Sequence, residues 1–159
     1  MARGGRWNAR GSFPVVYLHE DLATARASAR LLLEQSISGM PFEFDDLDPQ
    51  GLPVLVEVLL PSIDILDART ESGLQAAGLP TTYPRRAAGD PLPWQDCQRV
   101  AARAHRAGLP SIAYRSSAHA AGGGEVAWLE DHGGPLAATG PVRDFEDWFW
   151  DQAGTGSSS

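Results

Sequence analysis

The stretch that decides the fold is residues 4–18, which read Gly-Gly-Arg-Trp-Asn-Ala-Arg-Gly-Ser-Phe-Pro-Val-Val-Tyr-Leu. Its first half places Arg6 in a turn relaxed by glycine, a residue that adopts backbone conformations closed to others. Its second half is an apolar run with adjacent valines, which predicts a buried strand over Val15–His19. The stretch therefore predicts an arginine-bearing turn that leads directly into a strand carrying Tyr17.

A second informative stretch lies about a hundred residues later. Residues 108–117 read Gly-Leu-Pro-Ser-Ile-Ala-Tyr-Arg-Ser-Ser. The apolar pattern predicts a short strand over residues 111–114, and a loop rich in hydroxyl groups follows it at Ser116 and Ser117. This stretch places polar side chains at the end of a second strand.

Helix and strand patterns alternate along the rest of the chain. Helices are predicted over residues 22–35, with Asp21 as the cap, over residues 95–107, ended by Gly108, and after Asp144. Further strands are predicted over residues 53–60, with a continuation over 62–67, and over residues 125–129. The proline-rich stretch 69–93 is predicted to be irregular. The fold class that follows is α+β, a mixed sheet with interspersed helices.

Composition limits the class of protein. The length of 159 residues predicts a single domain over residues 1–152, followed by a flexible tail over 153–159. The net charge of −7 argues against direct nucleic-acid binding, and no apolar run is long enough for a membrane helix. One cysteine excludes an internal disulfide, and no secretory signal precedes the arginine turn. We expect a cytoplasmic protein.

Three side chains are candidates for chemistry, and each has a second interpretation. Arg6 has the donors to grip a phosphate, or it is a solvated arginine near a terminus. Tyr17 offers a ring to stack on a ligand, or it is a core tyrosine with a satisfied hydroxyl. Ser116 offers a hydroxyl to a ribose or an amide, or it belongs to an ordinary turn. The residues alone leave these alternatives open.

Other catalytic motifs are absent from the sequence. The four histidines form no i,i+4 pair, and with one cysteine there is no zinc-ligand spacing. The sequence contains no Gly-x-Ser-x-Gly nucleophile elbow, no P-loop and no Gly-x-Gly-x-x-Gly. These absences remove the usual anchors of serine hydrolases, P-loop enzymes and Rossmann oxidoreductases.

Taken together, residues 4–142 resemble the RES domain, the toxin half of a bacterial toxin–antitoxin family. The resemblance rests on Gly-Gly-Arg-Trp-Asn, the Val-Val-Tyr-Leu strand, the helix led by Trp94 and the Tyr-x-Ser strand end. It implies an ADP-ribosyltransferase-like fold with NAD+ in a cleft. It also implies cleavage of the nicotinamide–ribose bond, with ADP-ribose passed to a protein, to water or to phosphate.

The resemblance also implies site residues and partners. Arg6, Tyr17 and Ser116 match the family's catalytic positions, and Trp7 and Asn8 join them in binding NAD+, which is the substrate; no metal is expected. The implied partners are an antitoxin with a helix-turn-helix (Xre-type) part and, for a transferase, a cellular protein acceptor. A dimer or a toxin–antitoxin hetero-oligomer is expected, without direct contact to nucleic acid or membrane.

One position departs from the family pattern. RES domains carry a glutamate eleven residues beyond the tyrosine, and this chain has Ser28 there. A serine forms hydrogen bonds but supplies no charge. Glu34 is one acidic substitute, and Glu20 and Asp21 at the helix start are others. The alternative function is therefore a catalytically weakened NAD-binding or protein-interaction module.

Overall fold

The computed structural model describes residues 4–36, 47–119 and 122–150, and the chain forms two compact units. The first, which we call the sheet unit, comprises Met1–Ala25 and Pro61–Pro135. The second unit comprises Arg26–Leu60 and Leu136–Ser159. That residues 1–152 act as one domain stays a prediction, and the predicted tail 153–159 lies outside the described residues.

The sheet unit contains a four-stranded mixed sheet. Its strands are β1 (Val15–His19), β2 (Ile65–Ala68), β3 (Ser111–Arg115) and β4 (Gly124–Leu129), in the order β1-β4-β3-β2. β2 and β3 are parallel, and β4 is antiparallel to both of its neighbours. A parallel pair needs a long crossover connection, which here carries α2 (Glu71–Ala77) and α3 (Trp94–Arg106). The predicted α+β class with a mixed sheet is confirmed.

The core of the sheet unit is one cluster of buried side chains from the strands, α2 and α3. α3 contributes Cys97, Val100, Ala101 and Ala104, which recur at helical spacing on one face. Trp7, from the arginine turn, is fully buried in the same cluster. The turn is therefore anchored in the core by the residue next to Arg6.

α2 corrects the prediction that residues 69–93 are irregular. The Oγ1 of Thr70 accepts a hydrogen bond from Gly73 N at 3.1 Å and caps the helix start. Gly78 ends the helix with φ of 76°, a left-handed conformation that favours glycine. The prolines that suggested irregular structure all follow this helix, so the N-cap and C-cap residues were the stronger signal.

Residues 53–60, in the second unit, form no regular strand, so that strand prediction is wrong. They make only isolated bridges, Leu55 to Arg143 and Val58 to Ala138. Gly140 and Pro141 lie in the partner segment, and proline has no N–H to donate to a ladder. The Val/Leu run is therefore extended without becoming part of the sheet.

The remaining helices are α1 (Leu22–Ser36), α4 (Glu130–Gly133) and α5 (Phe145–Trp148). The predicted cap of α1 is confirmed, since Asp21 Oδ1 accepts a hydrogen bond from Thr24 N at 2.7 Å. Asp144 stands at the N-cap position of the predicted last helix, where its carbonyl accepts a hydrogen bond from Asp147 N at 3.0 Å, but its side chain makes no capping hydrogen bond. Among the described residues, none of the helices has the length and apolar character needed to cross a bilayer.

Ala101 tests the packing of α3. Its side chain is fully buried, so Ala101→Leu adds volume to a filled core and should lower the free energy of unfolding by about 1–3 kcal/mol. The neighbouring Ala102 is only partly buried, and Ala102→Leu is the matched control. Urea unfolding measures both variants, and equal stabilities would contradict the described orientation of α3.

Candidate functional site

The Tyr17 hydroxyl holds the arginine turn. It donates to Asn8 Oδ1 at 2.9 Å and accepts from the backbone N–H of Trp7 at 2.9 Å. The Asn8 amide in turn donates to the Phe13 carbonyl at 3.3 Å. Burial raises the pKa of Tyr17, so the hydroxyl keeps its proton at neutral pH. Tyr17, in the middle of β1, thus fixes the Trp7 backbone and the Asn8 side chain.

Gly5 is required at its position in this turn. A Cβ on Gly5 would lie 2.5 Å from the Tyr17 hydroxyl oxygen and 3.0 Å from Asn8 Oδ1. The backbone there is held from two sides, because Gly5 N donates to the Asn8 carbonyl at 2.8 Å and Gln98 Nε2 donates to the Gly5 carbonyl at 2.8 Å. The glycine predicted to relax the turn allows close approach of Tyr17.

Trp7 packs beneath the turn against two tyrosines. Its ring centroid lies 5.1 Å from that of Tyr114 on β3 and 6.0 Å from that of Tyr83. All three side chains are almost fully buried. They form an aromatic floor next to Arg6, and the role of Trp7 here is packing; NAD+ binding by Trp7 and Asn8 stays a prediction.

Arg6 links the turn to the loop after β3. Its Nη2 donates to Ser117 Oγ at 3.2 Å. The guanidinium is also near the Tyr83 hydroxyl and the Cys97 thiol, and it opposes the rise in pKa that burial imposes on both. Of the two interpretations of Arg6, the structure therefore favours a positioned guanidinium over a solvated one.

Some buried polar atoms around Arg6 make no hydrogen bond of ordinary geometry, although the Arg6 guanidinium lies against the Tyr83 hydroxyl. Among the described residues, three such buried atoms near the aromatic floor have no hydrogen-bond partner: Arg6 Nη1, Trp7 Nε1 and Tyr83 Oη. Buried donors are nearly always satisfied by protein, water or ligand. This cluster of unsatisfied donors is consistent with a site that receives a polar ligand.

Ser116 is buried, and its hydroxyl is fully engaged. Its Oγ donates to Glu125 Oε1 and accepts the backbone N–H groups of Ala118 and His119 at 3.2 and 3.3 Å. Its backbone N–H donates to the Gly123 carbonyl at 2.7 Å. Ser116 therefore fixes the loop after β3 and orients a carboxylate, while direct contact with a ribose or an amide stays a prediction.

Sequence reasoning did not select Glu125 as a functional residue. It lies on β4 between His19 of β1 and Tyr114 of β3, its partners in the ladder. The residue is 9% exposed, and His19 Nδ1 lies 3.9 Å from its Oε1. The available signal was one charged residue leading an apolar strand, Glu-Val-Ala-Trp-Leu. Buried carboxylates are rare outside paired or functional settings.

Ser28 and Glu34 belong to the second unit, whereas Arg6, Tyr17, Ser116 and Glu125 belong to the sheet unit. Both residues are partly buried on α1. Their predicted roles stay predictions. Among the described residues, no group of three or more histidine, cysteine or carboxylate side chains is arranged to hold a metal ion.

Comparison with known protein families matches residues 1–151 to the RES domain. The chain belongs to the RES domain family. The resemblance drawn from the arginine turn and the Tyr-x-Ser strand end is confirmed, and the match spans nearly the whole chain.

A solved structure shares the fold of this RES domain. It is the crystal structure of the M. tuberculosis MbcT–MbcA toxin–antitoxin complex, with a TM-score of 0.66 and 21% sequence identity. The similarity covers 92% of this chain and 76% of that chain. At this identity the likeness shows the fold alone. No curated protein sequence is significantly similar to this chain.

Gly5→Ala tests the contact between the Tyr17 hydroxyl and the arginine turn. The added methyl group displaces the Tyr17 hydroxyl and should lower the free energy of unfolding by about 1–3 kcal/mol. Tyr17→Phe removes the same hydroxyl without adding volume. Because the two changes break the same contacts, Gly5→Ala should cost less in the Tyr17→Phe background, by about 0.5 kcal/mol or more. If the effects of the two substitutions on the free energy of unfolding are additive in a double-mutant cycle, the described contact between Tyr17 and Gly5 is contradicted.

Cys97 reports on the integrity of the site. The thiol is fully buried, and burial raises its pKa despite the nearby Arg6. A buried, protonated thiol reacts through local opening, so the native protein should react with DTNB at pH 8 at least ~10²-fold more slowly than the unfolded chain. Stopped-flow absorbance measures both rates, and equal rates for the native and the unfolded protein would refute the burial of Cys97.

Proposed function

We propose that this RES domain is the toxin of a bacterial type II toxin–antitoxin system and that it consumes NAD+. It cleaves the bond between nicotinamide and ribose and transfers ADP-ribose to a protein acceptor, to water or to phosphate. One observation carries the proposal: Tyr17 holds the arginine turn through the Trp7 N–H, and Arg6 in that turn bonds Ser117 in the loop that begins with Ser116. This connection between the positions that match the family's three residues supports the proposal.

The chemistry of these side chains suits a dinucleotide. A guanidinium binds phosphate oxygens through paired, charge-assisted hydrogen bonds, which assigns Arg6 to the pyrophosphate. The Tyr17 ring is 36% exposed although its hydroxyl is engaged, which leaves a ring surface for the nicotinamide side. The unsatisfied donors beside Arg6 supply further contacts for an anionic substrate. We assign Ser116 to a position near the ribose that carries nicotinamide.

The partner proposed for this chain is an antitoxin with a helix-turn-helix part. The M. tuberculosis structure that shares the fold is a toxin bound to its antitoxin. A net charge of −7 disfavours binding of this chain alone to DNA. We therefore assign DNA binding to the antitoxin. The free thiol of Cys97 suits the reducing cytoplasm, where we place the reaction.

The enzyme hypotheses differ in the acceptor of ADP-ribose. Hydrolysis or phosphorolysis depends on strong activation of the sugar. Transfer to a protein tolerates slower chemistry, because binding of the acceptor orients the attack. The alternative, a weakened binding module, rests on Ser28 at the position of the family glutamate.

The test incubates the purified chain with adenine-labelled NAD+ and a cell lysate, and follows free nicotinamide and label on protein. Arg6→Ala removes the phosphate contact and should lower kcat/KM for nicotinamide release roughly 10- to 100-fold, the loss expected for charged hydrogen bonds. Arg10→Ala, an exposed arginine in the same segment, is the matched control. Overexpression of the wild type should stop growth, and the Arg6→Ala form should not.

The outcomes separate the hypotheses. Nicotinamide release with label on a discrete protein band identifies a transferase, and release without that label identifies a hydrolase or phosphorylase. If a folded chain binds NAD+ but releases no nicotinamide, the enzyme hypothesis is rejected in favour of the binding module. Equal effects of the Arg6 and Arg10 substitutions would remove Arg6 from the site.

A further inference from the structure

Glu125 is a buried carboxylate on β4, and Ala127 on the same strand is the ladder partner of Tyr17. Its Oε1 accepts the Ser116 hydroxyl, and the His19 Nδ1 lies 3.9 Å from the same oxygen. Ladder pairing places Tyr114 next to it on β3. The hydrogen bond from Ser116 and the flanking strands β1 and β3 thus hold this carboxylate in place, which is the kind of support that a preorganised charge needs.

Two titratable groups, Tyr114 and His19, lie beside Glu125 in the sheet. The charge of Glu125 adds to the rise in the pKa of Tyr114, whose main cause is burial. Burial lowers the pKa of His19, and the opposing effects of Glu125 and Asp21 are smaller, so His19 is mainly neutral at pH 7. Neither Tyr114 nor a neutral His19 carries a positive charge, and a low dielectric strengthens the action of a carboxylate on a nearby cation.

The site therefore holds one positive and one negative group near the aromatic floor. Arg6 and Glu125 both lie close enough to the Tyr83 hydroxyl to act on its pKa, Arg6 lowering it and Glu125 raising it. NAD+ has the complementary pattern, an anionic pyrophosphate and a ribosyl carbon that becomes positive as its bond to nicotinamide breaks. Arg6 suits the first and Glu125 the second.

We propose that Glu125 is a catalytic residue that stabilises the positive charge on the ribose during nicotinamide departure, with Ser116 as its positioning residue. The inference rests on the proposed function and names the acidic group of that same site. It assigns to β4 the charge that Ser28 cannot supply.

The step balances as a substitution at the ribose C1′. The C1′–N bond breaks, and its electron pair leaves with the pyridinium nitrogen, which becomes neutral nicotinamide. Positive charge develops on C1′ and the ring oxygen, opposite the Glu125 carboxylate. An oxygen of the acceptor forms the new bond to C1′, and where the acceptor is water or a protein hydroxyl group one proton passes to solvent. Nothing is oxidised or reduced.

The experiment compares steady-state nicotinamide release by the wild type, Glu125→Gln and a control, Glu71→Gln. Glutamine keeps the size and an acceptor for the Ser116 hydroxyl but removes the charge. Loss of one preorganised electrostatic contact should lower kcat by about 10²–10³ and leave KM nearly unchanged. Glu71 is an exposed glutamate in the first turn of α2, so its variant should match the wild type.

Each result decides between the two proposals. A wild type that releases no nicotinamide overturns the proposed function and the role of Glu125 with it. An active wild type whose Glu125→Gln form keeps kcat within about threefold overturns the role of Glu125 alone. So does a large loss in Glu20→Gln without one in Glu125→Gln, since Glu20 is the acidic competitor at the end of β1 and pairs with Arg69.

A second variant covers the case in which Glu125→Gln does not fold. Ser116→Ala leaves the charge of Glu125 and removes the hydroxyl that orients it. It should lower kcat by roughly tenfold, the effect of one lost hydrogen bond to a charged group, with KM nearly unchanged. An unchanged kcat in a folded Ser116→Ala protein would overturn the positioning role and the proposal.

Discussion

The Tyr17 hydroxyl is the interaction on which the candidate site depends. It joins β1 to the Trp7 backbone and the Asn8 side chain, and it leaves no room for a side chain on Gly5. Trp7 then enters the core, and its neighbour Arg6 is directed toward the loop after β3. A single hydroxyl thus fixes the glycine-rich turn that supports the guanidinium.

The surroundings of that guanidinium make its charge effective. Aromatic side chains form the floor beside it, and water is largely excluded from Trp7, Tyr83 and Tyr114. In such an environment charges act over longer distances than in bulk water. The same environment contains Glu125, so the sheet unit separates two opposite charges on a rigid frame. A substrate with its own separated charges fits this frame better than a neutral molecule does.

Much of the sheet unit could be predicted from the sequence because its signals are local. β1 was predicted at its observed bounds, and α3 within one residue, since apolar spacing and the stop at Gly108 determine them. The strand over residues 53–60 was wrong because a ladder needs a suitable partner, and the partner contains Pro141. α2 was missed because nearby prolines outweighed its caps at Thr70 and Gly78.

The candidate site was predictable only in part, for the same reason. Arg6 and Tyr17 stand in one short stretch whose pattern resembles a known family. The role of Glu125 depends on its cross-strand neighbours, Tyr114 on the preceding strand and His19, which is far from it in sequence. The Ser116 hydroxyl likewise donates a hydrogen bond to Glu125, a contact that no local sequence pattern predicts.

The strand order also bears on the synthesis of the chain. β1 lies at the edge of the sheet, and its one neighbour is β4, where Tyr17 pairs with Ala127, 110 residues later. Such a distant pairing carries a large loop-closure cost until the intervening elements have folded. A nascent polypeptide on the ribosome therefore exposes the arginine turn long before Glu125 exists to face it. This topology delays completion of the candidate site until β4 has been translated.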